Sequence, residues 1–129
     1  MNQENLRLGQ AEQALHAFVA AWLAPDATER RRQLEQCWSE NSEFLAPNAD
    51  SRGRDALAQT MASETISVPT NARIDLSEIS EHHGWFRYTW KVVGESGKTL
   101  NTGLHVAQLD DAGRLRRVIA FYGPTPEPR

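Results

Sequence analysis

The feature that most constrains this 129-residue chain is a change of hydrophobic period near residue 72. Before it, apolar residues recur at three- and four-residue steps; after it they alternate. Leu8, Ala11, Leu15, Phe18, Val19 and Trp22 form one stripe, which predicts a helix over 5–24 ended by Pro25. Asp26 followed by Glu29 is a capping-box-like start for a second helix over 27–38, with Leu34, Cys37 and Trp38 inward. "SEFLAP" predicts a short strand closed by Pro47, and "NADSRG" a loop. "RDALAQTMASE" predicts a third helix burying Ala56, Leu57, Thr60 and Met61. Beyond the change, "ARIDLSEIS", "GWFRYTWKVV", "TLNTGLHVAQL" and "RLRRVIAFYG" each predict a strand. "GESG" and "DDAG" between the last three supply hairpin turns. Helices first and strands afterwards make an α+β plan. It implies a single domain over 1–124, with the proline-rich 125–129 as a flexible tail.

Composition removes several classes of function. A formal charge of −3 gives no reason to expect nucleic acid or an anionic membrane as partner. The basic run Arg30-Arg31-Arg32 lies among glutamates on the second helix and reads as a solvated face. The single cysteine, Cys37, excludes an internal disulfide and suits a core thiol. The polar start "MNQEN" is unlike a signal peptide, and no apolar run is long enough to span a bilayer, so a cytoplasmic protein is expected. His82 and His83 would point to opposite faces of a strand, and no carboxylate or cysteine spacing supports a metal, so they read as a solvated turn. There is no glycine-rich phosphate loop, no Gly-x-Ser-x-Gly elbow and no Cys-x-x-Cys, so no cofactor is expected.

The two hairpin turns fix which residues share a face. Counting out from "GESG" pairs Phe86 with His105, Tyr88 with Gly103 and Trp90 with Asn101. Counting back from "DDAG" pairs His105 with Val118, Gly103 with Ala120 and Asn101 with Tyr122. One face then carries these nine residues, aromatic at the edges and small in the middle. A slip of one residue would swap the faces, whereas a slip of two would preserve them. Gly103 beside Ala120 would leave a hollow under Tyr88, which predicts a ligand pocket unless Trp22, Trp38 and Phe44 fill it from the helices. The opposite face carries Leu104, Val106, Ile119 and Phe121, edged by Arg87, Lys91 and Arg117, which suits self-association.

Two segments carry a resemblance to a known family. "FVAAWLAPDATERRRQLEQCWSENSEFLAPNADSRGRDALA" is similar to the first half of the SnoaL-like proteins of the nuclear transport factor 2-like superfamily. "GWFRYTWKVV" with "LNTGLHVAQLDDAGRLRRVIAFYGP" is similar to the second half. The resemblance covers about residues 10–124. It implies three N-terminal helices packed on a curved antiparallel sheet, a cone with an internal apolar cavity. It does not choose an activity, because the family includes ketosteroid isomerase, other enzymes and non-catalytic domains. Three places match the isomerase's functional positions: Ala46 where it has its general-base aspartate, Phe18 where it has its tyrosine donor, and His105 where it has its protonated aspartate. All three depart, which argues against steroid-type enolisation.

The resulting expectation is a small, largely apolar ligand held in the cone, with His105 as the main polar contact, desolvated and neutral. The expected lining is Phe18, Trp22, Trp38, Phe44, Phe86, Tyr88, Trp90, Asn101, Gly103, His105, Val118, Ala120 and Tyr122. The enzyme alternative is a cofactor-free isomerase, cyclase, hydratase or hydrolase using His105 as acid or base, helped by Tyr88, Asn101 or Tyr122. Asp50 and Asp55, expected beside the cavity mouth, are minor candidates for a replacement base. The third alternative is a filled cone serving association alone, through the homodimer face of Leu104, Val106, Ile119 and Phe121.

Overall fold

The computed structural model describes residues 3–63 and 68–129. The order is α1 (Gln3–Trp22), α2 (Ala27–Cys37), β1 (Trp38–Ala46), β2 (Ala49–Arg52), α3 (Gly53–Ala62), β3 (Arg73–Leu76), β4 (Ser80–His82), β5 (Trp85–Val93), β6 (Thr99–Leu109) and β7 (Leu115–Tyr122). The last position expected in the third helix, residue 64, lies outside the described residues. Residues 124–129 carry no regular secondary structure. One curved, unclosed sheet runs β2-β1-β7-β6-β5-β3, with β4 also on β5. The α+β cone is therefore the observed architecture.

Local chemistry explains the helix ends. The Asp26 side chain accepts from the Glu29 N–H at 2.8 Å, capping α2 as its sequence predicts. Arg30 corrects the reading of the basic run as a solvated face. Its guanidinium, half-buried, donates to the Ala21 and Ala24 carbonyls at 3.1 and 3.3 Å and so closes the C-terminus of α1. Arg31 pairs with Asp55 and Arg32 with Glu29 on the surface. Cys37 is fully buried where α2 meets β1, and burial pushes its thiol up to about 12.

The sheet departs from the predicted one in four places. "NADSRG" is not a loop throughout, because Ala49–Arg52 folds back on β1 as an edge strand. "ARIDLSEIS" is not one strand. It breaks after Leu76, where the Ser77 hydroxyl takes the Thr89 N–H at 2.8 Å and interrupts the ladder. β1 and β7 run parallel, so the sheet is mixed rather than wholly antiparallel. The fourth departure is the hairpin register. In both turns a glycine at positive φ (Gly97, Gly113) follows a tight turn, and the strands re-pair one residue later than counted. A one-residue irregularity at Leu100 and at Arg116 then adds a second step. His105 therefore faces Tyr88 and Ala120, not Phe86 and Val118. The total slip is two, so the predicted face survives: Phe86, Tyr88, Trp90, Gly103, His105, Val118 and Ala120 are all buried.

The core forms where this face meets α1, α2 and α3. Phe18 stacks on Trp38 at 5.6 Å and meets Phe44 and His105 edge-on or tilted. Ala11, Ala14, Ala17 and Ala21 let α1 approach closely, and Leu34, Leu57, Met61 and Leu115 complete the packing. No helix among the described residues is long and apolar enough to cross a membrane.

Candidate functional site

The residues around Gly103 do not leave the predicted hollow. Register places Trp90, not Tyr88, opposite Gly103. A Cβ at Gly103 would overlap both the Trp90 indole and the Phe121 carbonyl oxygen, so the indole itself occupies the space that glycine vacates. Four other expected lining residues, Trp38, Phe86, Val118 and Ala120, are likewise core rather than wall. Trp38 stacks beneath Phe18 and donates its indole N–H to the Gly53 carbonyl at 3.2 Å.

A cavity exists further along the cone. Its volume is about 270 Å³, near the ~300 Å³ lower end of small-molecule sites. Phe18, Val19 and Trp22 of α1 and Phe44 of β1 form one wall. Ile74 and Leu76 of β3 form another, and Tyr88, Trp90 and Val92 of β5 with His105 of β6 form the sheet side. Asn48, Leu100, Asn101 and Tyr122, all exposed, ring the mouth, and Val68 and Pro69 also contribute. Eight of the expected residues thus come together: Phe18, Trp22, Phe44, Tyr88, Trp90, Asn101, His105 and Tyr122. Val19 was legible on the helical stripe. Leu100 was hidden because the strand irregularity there sets it beside Asn101 at the mouth.

The polar centre of the cavity wall is His105, 9% exposed, with its Nδ1 2.7 Å from the Tyr88 hydroxyl. Tyr88 is 2% exposed, and this is its hydroxyl's hydrogen bond among the described residues. A buried O–H must donate, so Tyr88 gives its proton to Nδ1. The imidazole then carries its own proton on Nε2. Phe18, Phe44, Tyr88 and Trp90 pack around the ring with centroids 5.2–6.2 Å away. Burial among these rings drives the His105 pKa down to about 3 and pushes the Tyr88 hydroxyl up. Both groups are neutral near pH 7.

The mouth is tied by a second polar contact, the Tyr122 hydroxyl donating to Asn48 Oδ1 at 3.0 Å. Asn101 Oδ1 accepts from the Thr102 N–H at 2.9 Å. Neither aspartate considered as a base lines the cavity: Asp50 is exposed on β2 and Asp55 pairs with Arg31. The wall carries no Asp, Glu, Lys or Arg among the described residues. His82 and His83 are exposed, as expected of a turn. The left-handed backbone of His83 brings the two Nδ1 atoms to 3.2 Å rather than to opposite faces. No cluster of metal-ligating side chains occurs among the described residues.

The fold is the α+β cone shared by solved SnoaL-like and nuclear transport factor 2-like proteins. A SnoaL-like family protein from Agrobacterium tumefaciens, provisionally called an isomerase, superposes with a TM-score of 0.79 at 24% identity, covering 90% of this chain and 99% of that one. A protein from Jannaschia, provisionally called a SnoaL-like polyketide cyclase, gives 0.68 at 14% identity, covering 88% and 84%. A nuclear transport factor 2-like protein of unknown function from Burkholderia xenovorans gives 0.67 at 13% identity, covering 95% and 91%. These likenesses establish the fold that the sequence resemblance implied. No family model and no curated protein matches the chain significantly.

Proposed function

We propose that this protein binds a small, largely apolar molecule in the cone, against the Tyr88–His105 pair. The observation that carries the reading is an apolar cavity whose wall carries one buried, hydrogen-bonded, neutral imidazole. Apolar walls with a few placed polar groups suit small-molecule recognition. Binding is favoured over acid–base catalysis because His105, with its pKa lowered to about 3, is a weak proton acceptor at neutral pH, and among the described residues no carboxylate stands on the wall to assist it. The structural neighbours provisionally called isomerase and polyketide cyclase are consistent with a small-molecule site and do not specify one. The protein acts as a homodimer through the outer face of β6 and β7, where Leu104, Val106 and Ile119 are half-buried and Phe121 is 53% exposed.

A thermal-shift screen tests the ligand reading, using small lipophilic alcohols, ketones, epoxides and polyketide-like aromatics on wild type and His105→Phe. A compound that raises the Tm of wild type and not of the variant supports it. No shift across the panel, with a variant as stable as wild type, refutes it and leaves association as the surviving role.

A further inference from the structure

A groove runs outside the cone, between α1 and the strand at the sheet's edge. Leu15, Val19, Ala20 and Leu23 recur at three- and four-residue steps and give α1 an aliphatic stripe there. Across from it lie Ile74 and Leu76 of β3, and Ile79. The groove follows α1 from Leu23 to Glu12, about 16 Å at 1.5 Å per residue, and its volume is about 440 Å³. Its polar residues, Glu12, His16 and Ser77, are all exposed at the rim.

The groove adjoins the cone cavity. Val19, Ile74 and Leu76, each half-buried, line both, so the two hollows share an aliphatic wall with no charge on it. One side of that wall is weakly held. β3 has four residues, pairs only with β5 among the described strands, and its ladder stops at Leu76. A short edge strand is where a sheet opens at least cost. The two hollows also differ in chemistry. The cone wall carries the rings of Phe18, Trp22, Phe44, Tyr88 and Trp90, which suit a flat group. The groove wall carries no Phe, Tyr or Trp among the described residues, and its aliphatic side chains suit a flexible hydrocarbon. A peptide fits it poorly, because those side chains would strip water from its amides and offer them no partner.

Resting on the binding reading above, we infer that the groove is a second subsite for an elongated ligand. The ligand's ring or head lies in the cone, and an unbranched hydrocarbon chain passes between Val19, Ile74 and Leu76 to lie along α1.

A pair of phenols that differ only in chain length tests this: 4-ethylphenol and 4-octylphenol. Calorimetry on the wild-type protein should show affinity rising about two- to fourfold per added methylene, as expected for a half- to fully buried chain. Ala20 and Leu23 line the groove and not the cone. Ala20→Trp should therefore abolish most of the gain from the longer chain and leave 4-ethylphenol affinity unchanged. Leu23→Gln, a milder change at an exposed position, should weaken 4-octylphenol alone. Equal wild-type affinity for the two phenols overturns the inference and leaves the cone reading standing, as does a chain-length gain that survives in Ala20→Trp. Binding of 4-octylphenol that persists undiminished in His105→Phe separates the groove from the cone and also overturns it. If neither phenol binds, both readings fall together, and a sedimentation coefficient lowered by Ala20→Trp would then assign the groove to a second copy of the chain.

Discussion

Replacing His105 by a side chain that cannot titrate should change how stability depends on pH, and the size of the change follows from its burial. The imidazole has an ordinary pKa of 6.5 in the unfolded chain and about 3 in the folded one. Between those values the unfolded state binds a proton that the folded state does not, so falling pH favours unfolding. The sign is that of a lowered histidine pKa: the neutral ring is harmless above pH 6.5 and increasingly destabilising below it. Each pH unit costs about 1.4 kcal/mol, hence about 2.5 kcal/mol between pH 7 and pH 4.5. His105→Gln keeps a polar group beside Tyr88 without this linkage. The exposed histidines and all the carboxylates are common to both proteins and cancel in the difference. Urea unfolding followed by tryptophan fluorescence at the two pH values should show the variant gaining about 2.5 kcal/mol relative to wild type on acidification. A stability difference that stays constant with pH would refute the reasoning, because it would mean that His105 is solvated or carries its proton in the folded protein.

Further expectations concern individual contacts. Gly103→Ala forces a methyl onto the Phe121 carbonyl and the Trp90 indole, and should destabilise by about 1–3 kcal/mol, seen as a lower Tm. Tyr88→Phe removes the partner of a buried imidazole nitrogen and should cost about 1–3 kcal/mol in urea unfolding; imidazole ¹⁵N shifts should show the loss of the fixed tautomer. Asp26→Ala deletes the α2 cap and should cost about 1 kcal/mol by the same measurement. Leu104→Glu should convert a dimer to a monomer in sedimentation velocity, and a wild type that is monomeric throughout a concentration series would remove the proposed interface.

How much of this was legible depends on the range of the interactions involved. α2 could be read because its start is written locally, in Asp26 and Glu29. β5, β6 and β7 could be read because their alternation is long and bounded by glycine turns. Their faces survived a wrong register only because two one-residue shifts in each hairpin add to an even number. The same slip moved Trp90 onto Gly103 and closed the hollow that the pairing of Gly103 with Tyr88 would have opened. β2 was missed because four polar-rich residues show no period of their own and become a strand only by pairing with β1. The break after Leu76 depends on one hydroxyl, that of Ser77, reaching the Thr89 N–H. The parallel contact of β1 with β7 joins residues more than seventy positions apart, and no local signal announces it. His105 was singled out as a polar residue on an apolar face. Its partnership with Tyr88 needed the true register.

Cys37, sealed at the joint between α2 and β1, gives the protein a built-in clock for its own breathing. A thiol that is fully enclosed and held protonated reacts with a disulfide reagent only while the joint is open. Labelling of the unaltered native protein therefore counts opening events at one defined point of the core. A ligand that grips the cone would slow the count to the extent that the joint must open for the cone to empty. Slowed labelling with an unchanged unfolding transition would identify α2 and β1 as a unit that moves on its own.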